Sequence, residues 1–239
     1  TVGSDWLGYF DYLKDYCKVV YLERTQGVSS TELRSEGAEI RLGLVGDTHI
    51  VNKFANECKF VNGAKVIGFL TLNAELEMTG LEAVSVYISY KDLVADCDAV
   101  YIQSHPFKHY EQIKYALEQK KHVIYESPIA LKAKEAEELF ALADKNKCIL
   151  YAGIKTAYST AYARMILMAK TGKIGKIVSI DAVCTSLNNI TNKQALNRTW
   201  NSITAWGPTA MLPIFQLLGT KYINRYIVSS FHPDNLHFD

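Results

Sequence analysis

The sequence predicts an α/β protein centred on a doubly wound parallel sheet. From Ile40 onward, short apolar strands alternate with helical patterns in a β-α-β-α succession joined by brief connections. Such a succession places parallel strands side by side, with helices on both faces. The strands, Ile40 to Gly46 first among them, are mostly apolar runs rather than clean alternations. Strands covered on both faces read that way. Hydrophobic residues make up 49% of the 239 and charged residues 21%, enough to bury a sizeable core.

The elements follow in order. Val2-Gly3 reads as the end of a strand, Trp6 to Tyr16 has helical spacing, and Val19 to Leu22 is a short strand. A polar loop from Glu23 to Ser30 follows, and Thr31 to Glu39 reads as a helix start or a linker. Strand Ile40–Gly46 leads to a helix over 50–61 and a second strand, Ala64–Leu70. Val84–Ile88 is a third strand, Lys91–Ala95 a short helix and Asp98–Ile102 a fourth strand. A helix over 107–119, strand His122–Tyr125, a helix over 132–145 and strand Cys148–Ala152 complete the alternation. A helix over 159–171 stops at the glycines of Gly172-Lys173-Ile174-Gly175, and Lys176 to Val183 alternates as a strand does. A helix near 208–218 ends at Gly219, before a strand over 222–230. These elements divide the chain into 1–37, 38–157 and 158–239, the last being the start of a second, α+β sheet domain. Both ends read as cut from a longer protein.

Charge excludes some functions. With 26 basic against 25 acidic side chains, nothing calls for nucleic acid or an anionic membrane as partner. The tyrosines show no stacking platform with interleaved basic residues. No apolar run is long enough to span a bilayer. Cys17, Cys58, Cys97, Cys148 and Cys184 are dispersed, without a C-x-x-C pair or a Cys/His cluster. They read as reduced thiols of a cytoplasmic protein, with neither a metal site nor a disulfide framework.

Two stretches carry chemistry. In the first, Arg24-Thr25-Gln26-Gly27-Val28-Ser29-Ser30-Thr31 follows a strand and precedes a possible helix. Arg24 offers a planar fork to phosphate oxygens and Gly27 a close backbone approach. Thr25, Ser29, Ser30 and Thr31 supply hydroxyls near a helix start. Read from composition alone, the string is also an ordinary polar loop with a helix cap. Together with Gly3-Ser4-Asp5-Trp6, Phe10-Asp11-Tyr12-Leu13 and Val19-Val20-Tyr21-Leu22, it resembles the C-terminal part of glycerol-3-phosphate cytidylyltransferases, in order and spacing. That resemblance covers about residues 2–34 and implies a partial α/β nucleotidyltransferase segment. In that family the equivalent loop, R-T-E-G-I-S-T-T, binds the CTP phosphates, which implies the same role in the intact parent for Arg24, Thr25, Gly27, Ser29, Ser30 and Thr31. The family's H-x-G-H motif and catalytic Lys have no counterpart here, so this segment should not transfer cytidylyl groups by itself.

The second stretch begins at the first strand-to-helix turn, Gly46-Asp47-Thr48-His49. A dinucleotide fold wants glycines there, and Gly46 serves as the first of G-x-G-x-x-G. Thr48 and Val51 occupy the other two glycine places, and Asp47 puts a negative charge beside a pyrophosphate. The second strand's end carries Asn73 and Glu75 as substitutes for the acidic residue that holds a ribose diol. Further on stand Asp98-Ala99-Val100-Tyr101-Ile102-Gln103-Ser104-His105-Pro106 with His109, then Lys121-His122-Val123-Ile124-Tyr125-Glu126-Ser127-Pro128-Ile129-Ala130. These strings resemble the Gfo/Idh/MocA family of NAD(P)-dependent sugar oxidoreductases, whose own read D-A-V-x-I-x-T-P-x-x-x-H and G-K-H-V-x-x-E-K-P-x-A. The likeness runs through Gly172–Ile177 to Leu217-Leu218-Gly219, about residues 40–230.

This second resemblance implies a Rossmann-type domain that binds NAD or NADP. It would use Gly46, Asp47, Thr48, His49, Ser104, His105, Pro106, Glu126, Ser127 and Pro128. It also implies a sugar or polyol (phosphate) substrate, and a homo-oligomer formed through the second domain's sheet. The sequence departs from the family at its chemistry. Ser127 stands where the catalytic lysine of E-K-P belongs, and Ala205-Trp206-Gly207-Pro208-Thr209 where D-x-x-x-H/Y belongs. Lys155, just after a strand, is the candidate replacement acid, its other reading being a solvated surface lysine. Tyr158 and His109 are secondary catalytic candidates. Three functions stay open: a redox domain beside a cytidylyltransferase, building cell-surface polymer precursors; a catalytically silent binding or dimerisation module; or a site for another nucleotide, with Asp47 on a hydroxyl.

Overall fold

The structure, a computed structural model, describes residues 2–3, 7–15, 18–22, 39–72, 84–184, 202–228, 231–232 and 237–238. It divides into two compact units, Thr1–Glu39 with Val61–Gly63, and Ile40–Phe60 with Ala64–Asp239.

In the smaller unit, β1 (Val2–Gly3) and β2 (Tyr21–Leu22) pair in parallel. Of the helix predicted over Trp6–Tyr16, the described residues hold only a single 3-10 turn, Asp11–Leu13. Gly8, at φ +81°, takes a backbone conformation that no right-handed helix contains. The Tyr21 hydroxyl then fixes the turn, accepting from the Phe10 N–H and donating to Asp11.

The larger unit is the predicted sheet. Six parallel strands stand in the order β5-β4-β3-β6-β7-β8: Ser85–Val86, Ala64–Leu70, Ile40–Gly46, Ala99–Gln103, His122–Tyr125 and Leu150–Ala152. The chain starts in the middle at β3, winds outward to β5, then crosses back to β6 and winds the other way. Both faces are covered by helices: α1 (His49–Cys58), α2 (Tyr90–Asp96), α3 (Pro106–Glu118) and α4 (Ala133–Asn146). Side-chain alternation sorts the strands between two cores. Leu44, Phe69 and Tyr101 pack with Val51 and Ala55 of α1. Val45, Val100, Ile102 and Val123 pack with Leu93 of α2, Ile113 and Leu117 of α3, and Leu139 of α4. Helix α2 sits so close to β3 that a Cβ on Gly43 would lie 2.9 Å from Leu93 Cγ. The Cys97 thiol belongs to the same contact, and burial pushes it above its ordinary pKa, as an inert core thiol requires.

Beyond β8 come α5 (Thr160–Lys170) and α6 (Ser202–Leu218), tied by the Tyr162 hydroxyl donating to Gln216. Gly172, at φ +73°, ends α5, and the Lys173 N–H closes back on the Met168 carbonyl. Helix α6 reaches back to Ser202, well before the predicted start near 208, and contains Pro208 and Pro213. The strands predicted over 176–183 and 222–230 are not strands among the described residues. Their alternation finds no neighbouring ladder, and Val178 and Val228 are 90% and 93% exposed. A strand is a property of a pair of chain segments, so pattern alone does not make one. Phe231–His232 and His237–Phe238 form a small antiparallel pair. Among the described residues, no helix is long and apolar enough to cross a membrane.

Candidate functional site

In an open doubly wound sheet, ligands sit beyond the carboxyl ends of the strands where the winding reverses. Here that point lies between β3 and β6, and the candidate residues cluster on the loops that leave β3, β6, β7 and β8.

The β3 loop is built around Gly46. A Cβ there would lie 2.4 Å from Val51 Cγ2 and 2.7 Å from Gln103 Oε1, so only glycine fits. Asp47 turns away from the helix start: its Oδ1 accepts from the Leu72 N–H at 2.6 Å and the Thr71 hydroxyl at 3.1 Å. It ties the first turn to the end of β4. Thr48 caps α1, accepting from the Ile50 N–H at 3.3 Å, and its hydroxyl donates to Gln103 Oε1 at 2.9 Å. The side chain in the second glycine's place is thus held against the protein. The Thr48 and His49 N–H groups have no protein acceptor among the described residues. Two open amides at a helix start beside a glycine fit a diphosphate.

On the β6 loop, Ser104 is buried and donates to Gln112 Oε1. His105 caps α3, its Nδ1 accepting from the Phe107 N–H, while its ring stacks on Phe107 with centroids 5.2 Å apart. Burial and the nearby Lys108 hold its pKa below the ordinary histidine value. Pro106 is the first residue of α3, where its missing N–H costs nothing. His109, one turn further, is 1% exposed, with both ring nitrogens against backbone carbonyls.

The β7 loop carries Glu126, Ser127 and Pro128, with a cis Ser127–Pro128 bond. Glu126 Oε1 accepts from the Tyr101 hydroxyl at 2.7 Å, and the Tyr101 ring stacks on Phe54 at 3.9 Å. Burial, then this carboxylate, raises the Tyr101 pKa so that it stays a phenol. Gly153 follows β8, and a Cβ there would lie 3.1 Å from Glu126 Oε1. Lys155 opens the 3-10 turn Lys155–Tyr158 and is exposed. Tyr158 donates to the Ala152 carbonyl at 2.9 Å and stacks on Tyr151. Burial, then the bond to Tyr151, pushes its phenol up to about 12.

Sequence reasoning passed over Tyr101 and Gln103, which position Glu126 and Thr48. Gln103 left a signal, a polar residue closing an apolar strand; the alternation that turns Tyr101 toward Glu126 needed the sheet register. Arg24, Thr25, Gly27, Ser29, Ser30 and Thr31 lie outside the described residues, as do Asn73 and Glu75. Among the described residues, no three His, Cys, Asp or Glu side chains gather as a metal site would require.

The Gfo/Idh/MocA profile, described as an oxidoreductase family with an NAD-binding Rossmann fold, matches residues 40–154. Those residues are a Gfo/Idh/MocA oxidoreductase domain. Its sheet order and its loops are those just described. The chain is 28% identical over 124 residues to the scyllo-inositol 2-dehydrogenase (NADP(+)) IolU of Bacillus subtilis, covering 50% of this chain and 38% of that enzyme. An NAD-binding protein from Listeria innocua superposes with a TM-score of 0.65 at 20% identity, over 75% of this chain and 55% of that one, and shares the fold. A 36-residue stretch of the chain is 57% identical to the glycerol-3-phosphate cytidylyltransferase of Bacillus subtilis. It covers 15% of this chain and 28% of that enzyme. The chain therefore spans well under half of either Bacillus enzyme.

Proposed function

We propose that the Gfo/Idh/MocA domain binds NAD(H) or NADP(H) and exchanges hydride with a small polyol or sugar. The open Thr48 and His49 amides beside Gly46, at the point where the sheet reverses, carry this reading. They would hold the pyrophosphate. Bound there, a nicotinamide supplies the hydride chemistry. The chain's own part is to position the cofactor and to move a proton at the substrate hydroxyl. Ser104–Pro106 and Glu126–Pro128 are the lining we assign to the nicotinamide half. Ser127 cannot act as an ammonium acid, so the proton falls to Lys155, whose exposed ammonium stands on the β8 loop. Tyr158 is bonded to the Ala152 carbonyl and supports the turn that carries Lys155.

The substrate class is drawn from the named activity of the inositol dehydrogenase relative. The 36-residue likeness to a glycerol-3-phosphate cytidylyltransferase leads us to propose a parent protein with two activities. One would transfer the cytidylyl group of CTP to a polyol phosphate, releasing diphosphate; the other would oxidise or reduce the polyol. Products of that pair suit cell-surface polymer synthesis. Within it, Arg24, Thr25, Gly27, Ser29, Ser30 and Thr31 would hold the CTP phosphates.

Ser127 in the lysine's place favours a second reading, a domain that binds without turning over. Titration with NADH and NADPH, followed by nicotinamide fluorescence, tests the binding. Saturation in the micromolar range supports the dinucleotide site, whereas no binding at millimolar cofactor refutes it. Turnover of inositols and sugar alcohols that Lys155→Ala abolishes supports the redox reading. Binding without turnover leaves the silent module, and turnover unchanged by Lys155→Ala removes Lys155 from the chemistry.

A further inference from the structure

His109 makes two contacts that one neutral imidazole cannot both satisfy. Its Nδ1 lies 2.7 Å from the Pro128 carbonyl oxygen and its Nε2 lies 2.7 Å from the Ser104 carbonyl oxygen. Carbonyl oxygens only accept. A neutral ring has one N–H and one lone pair, so one of the two contacts would bring a lone pair against an oxygen. Only the imidazolium donates to both. At 1% exposure, the ring has no bulk water to relieve the conflict. The two carbonyls belong to different loops, Ser104 to the exit of β6 and Pro128 to the exit of β7.

We propose that His109 is a positioning residue that staples the β6 and β7 loops together, with two hydrogen bonds when doubly protonated and one when neutral. Its consequence for ligand binding rests on the dinucleotide reading above; the staple itself does not. Several groups bear on the ring's charge. Burial disfavours the charged form most, the Pro128 and Ser104 carbonyls favour it, His105 at the head of α3 opposes it, and Glu126 at the end of β7 favours it. Burial prevails, so the ring titrates below the ordinary histidine value. At neutral pH the staple then holds by one bond and one loop is free to relax. Acidification closes the second bond, fixing the spacing between Ser104–Pro106 and Glu126–Pro128.

Nuclear magnetic resonance on the full chain, with labelled histidine nitrogens and backbone carbonyl carbons, tests the staple directly. As the pH is lowered from about 8, both His109 nitrogens should reach the imidazolium signature at a pH below the range in which ordinary histidines titrate, while the protein is still folded. The Ser104 and Pro128 carbonyl signals should shift together at that same midpoint. If only one carbonyl follows the ring, or the ring never gains its second proton while the protein stays folded, the staple is overturned. Calorimetric titration with NAD+ over the same descent in pH tests the positioning role. The wild-type affinity should rise about fivefold on acidification, the weight of roughly one net hydrogen bond, and His109→Gln should flatten the profile. A profile that His109→Gln leaves unchanged overturns the role. If NAD+ fails to bind at every pH, the dinucleotide reading falls with the role, and the carbonyl signals still decide the staple.

Discussion

Gly46 is the residue at which one added methyl group would do most harm. Its Cβ would press on Val51 and on both the side chain and the backbone oxygen of Gln103, a residue that also holds Thr48. Gly46→Ala should therefore cost about 1–3 kcal/mol, the usual range for overpacking a tight site, read as a lower urea midpoint. A midpoint unchanged from wild type would mean that the turn is looser than its contacts imply. At the opposite end of the same strand, Arg41 holds Asp98 through its guanidinium and its backbone N–H. The guanidinium first, then the amide, lowers the Asp98 carboxyl to about 2. A carboxylate whose folded pKa lies below its unfolded value of about 3.9 stabilises the fold above that value. The contribution fades as the pH falls through the folded one. Both side chains are roughly half exposed, so the stability at stake is small and the titration itself is the better readout. In Arg41→Ala, the Asp98 carboxyl should titrate higher, part-way to its ordinary value because the amide bond remains. An unshifted titration would assign the low pKa to some other group.

Helix ends show a cost that contacts alone do not. Lys147, which closes α4, and Lys120, just past α3, both take left-handed backbone at φ 56° and φ 58°. Both side chains are exposed. For a side chain other than glycine this conformation costs about 1–2 kcal/mol, against the extra freedom that glycine loses on folding, about 0.5–1 kcal/mol. Lys147→Gly should accordingly stabilise the protein, by about 0.5 kcal/mol. In thermal unfolding, that is a rise of about 1–2 °C for a chain of this size. Lys145→Gly, two residues earlier and inside α4, should instead lose about 1 kcal/mol. If both variants lose stability, the left-handed cap is not strained. The same local chemistry explains which elements the sequence disclosed. β4 and β7 stand over the residues their apolar runs marked out, and α1 to α5 lie within a residue or two of their patterns, except at the end of α1, three residues early. Gly43 and Gly46 also mark where helices approach the sheet. Segments 176–183 and 222–228 misled because alternation reports which side chains could share a face, and not whether a neighbouring strand exists to complete the ladder.

At the scale of the whole molecule, the site was legible as a set of loops but not as a set of bonds. Ser104, His105, Glu126, Ser127 and Lys155 could be placed at the carboxyl edge of the sheet from strand order alone. That Asp47 serves the end of β4, that Thr48 is turned to Gln103, and that His109 faces two carbonyls depend on distances that no spacing rule contains. The distribution of backbone bonding also predicts where the chain opens. From β3 to β8, every strand has a hydrogen-bonded neighbour and most core side chains are closed to water. From Ile174 to Cys184 and from Tyr222 to Val228 no strand ladder forms, and apolar side chains such as Ile223, 97% exposed, face solvent. Regions with few buried contacts and exposed backbone open at little cost, and proteases report that opening. Trypsin should therefore cut at Lys173, Lys176, Lys221 and Arg225 well before Lys114, which pairs with Glu138, or Lys121, which donates to the Cys97 carbonyl. Mass spectrometry of the early digest should show the sheet from Ile40 to Ala152 surviving intact. Early cleavage at Lys114 or Lys121 would place the weakest part of the fold inside the sheet and its covering helices. The stapled loops of the candidate site would then be opening with them.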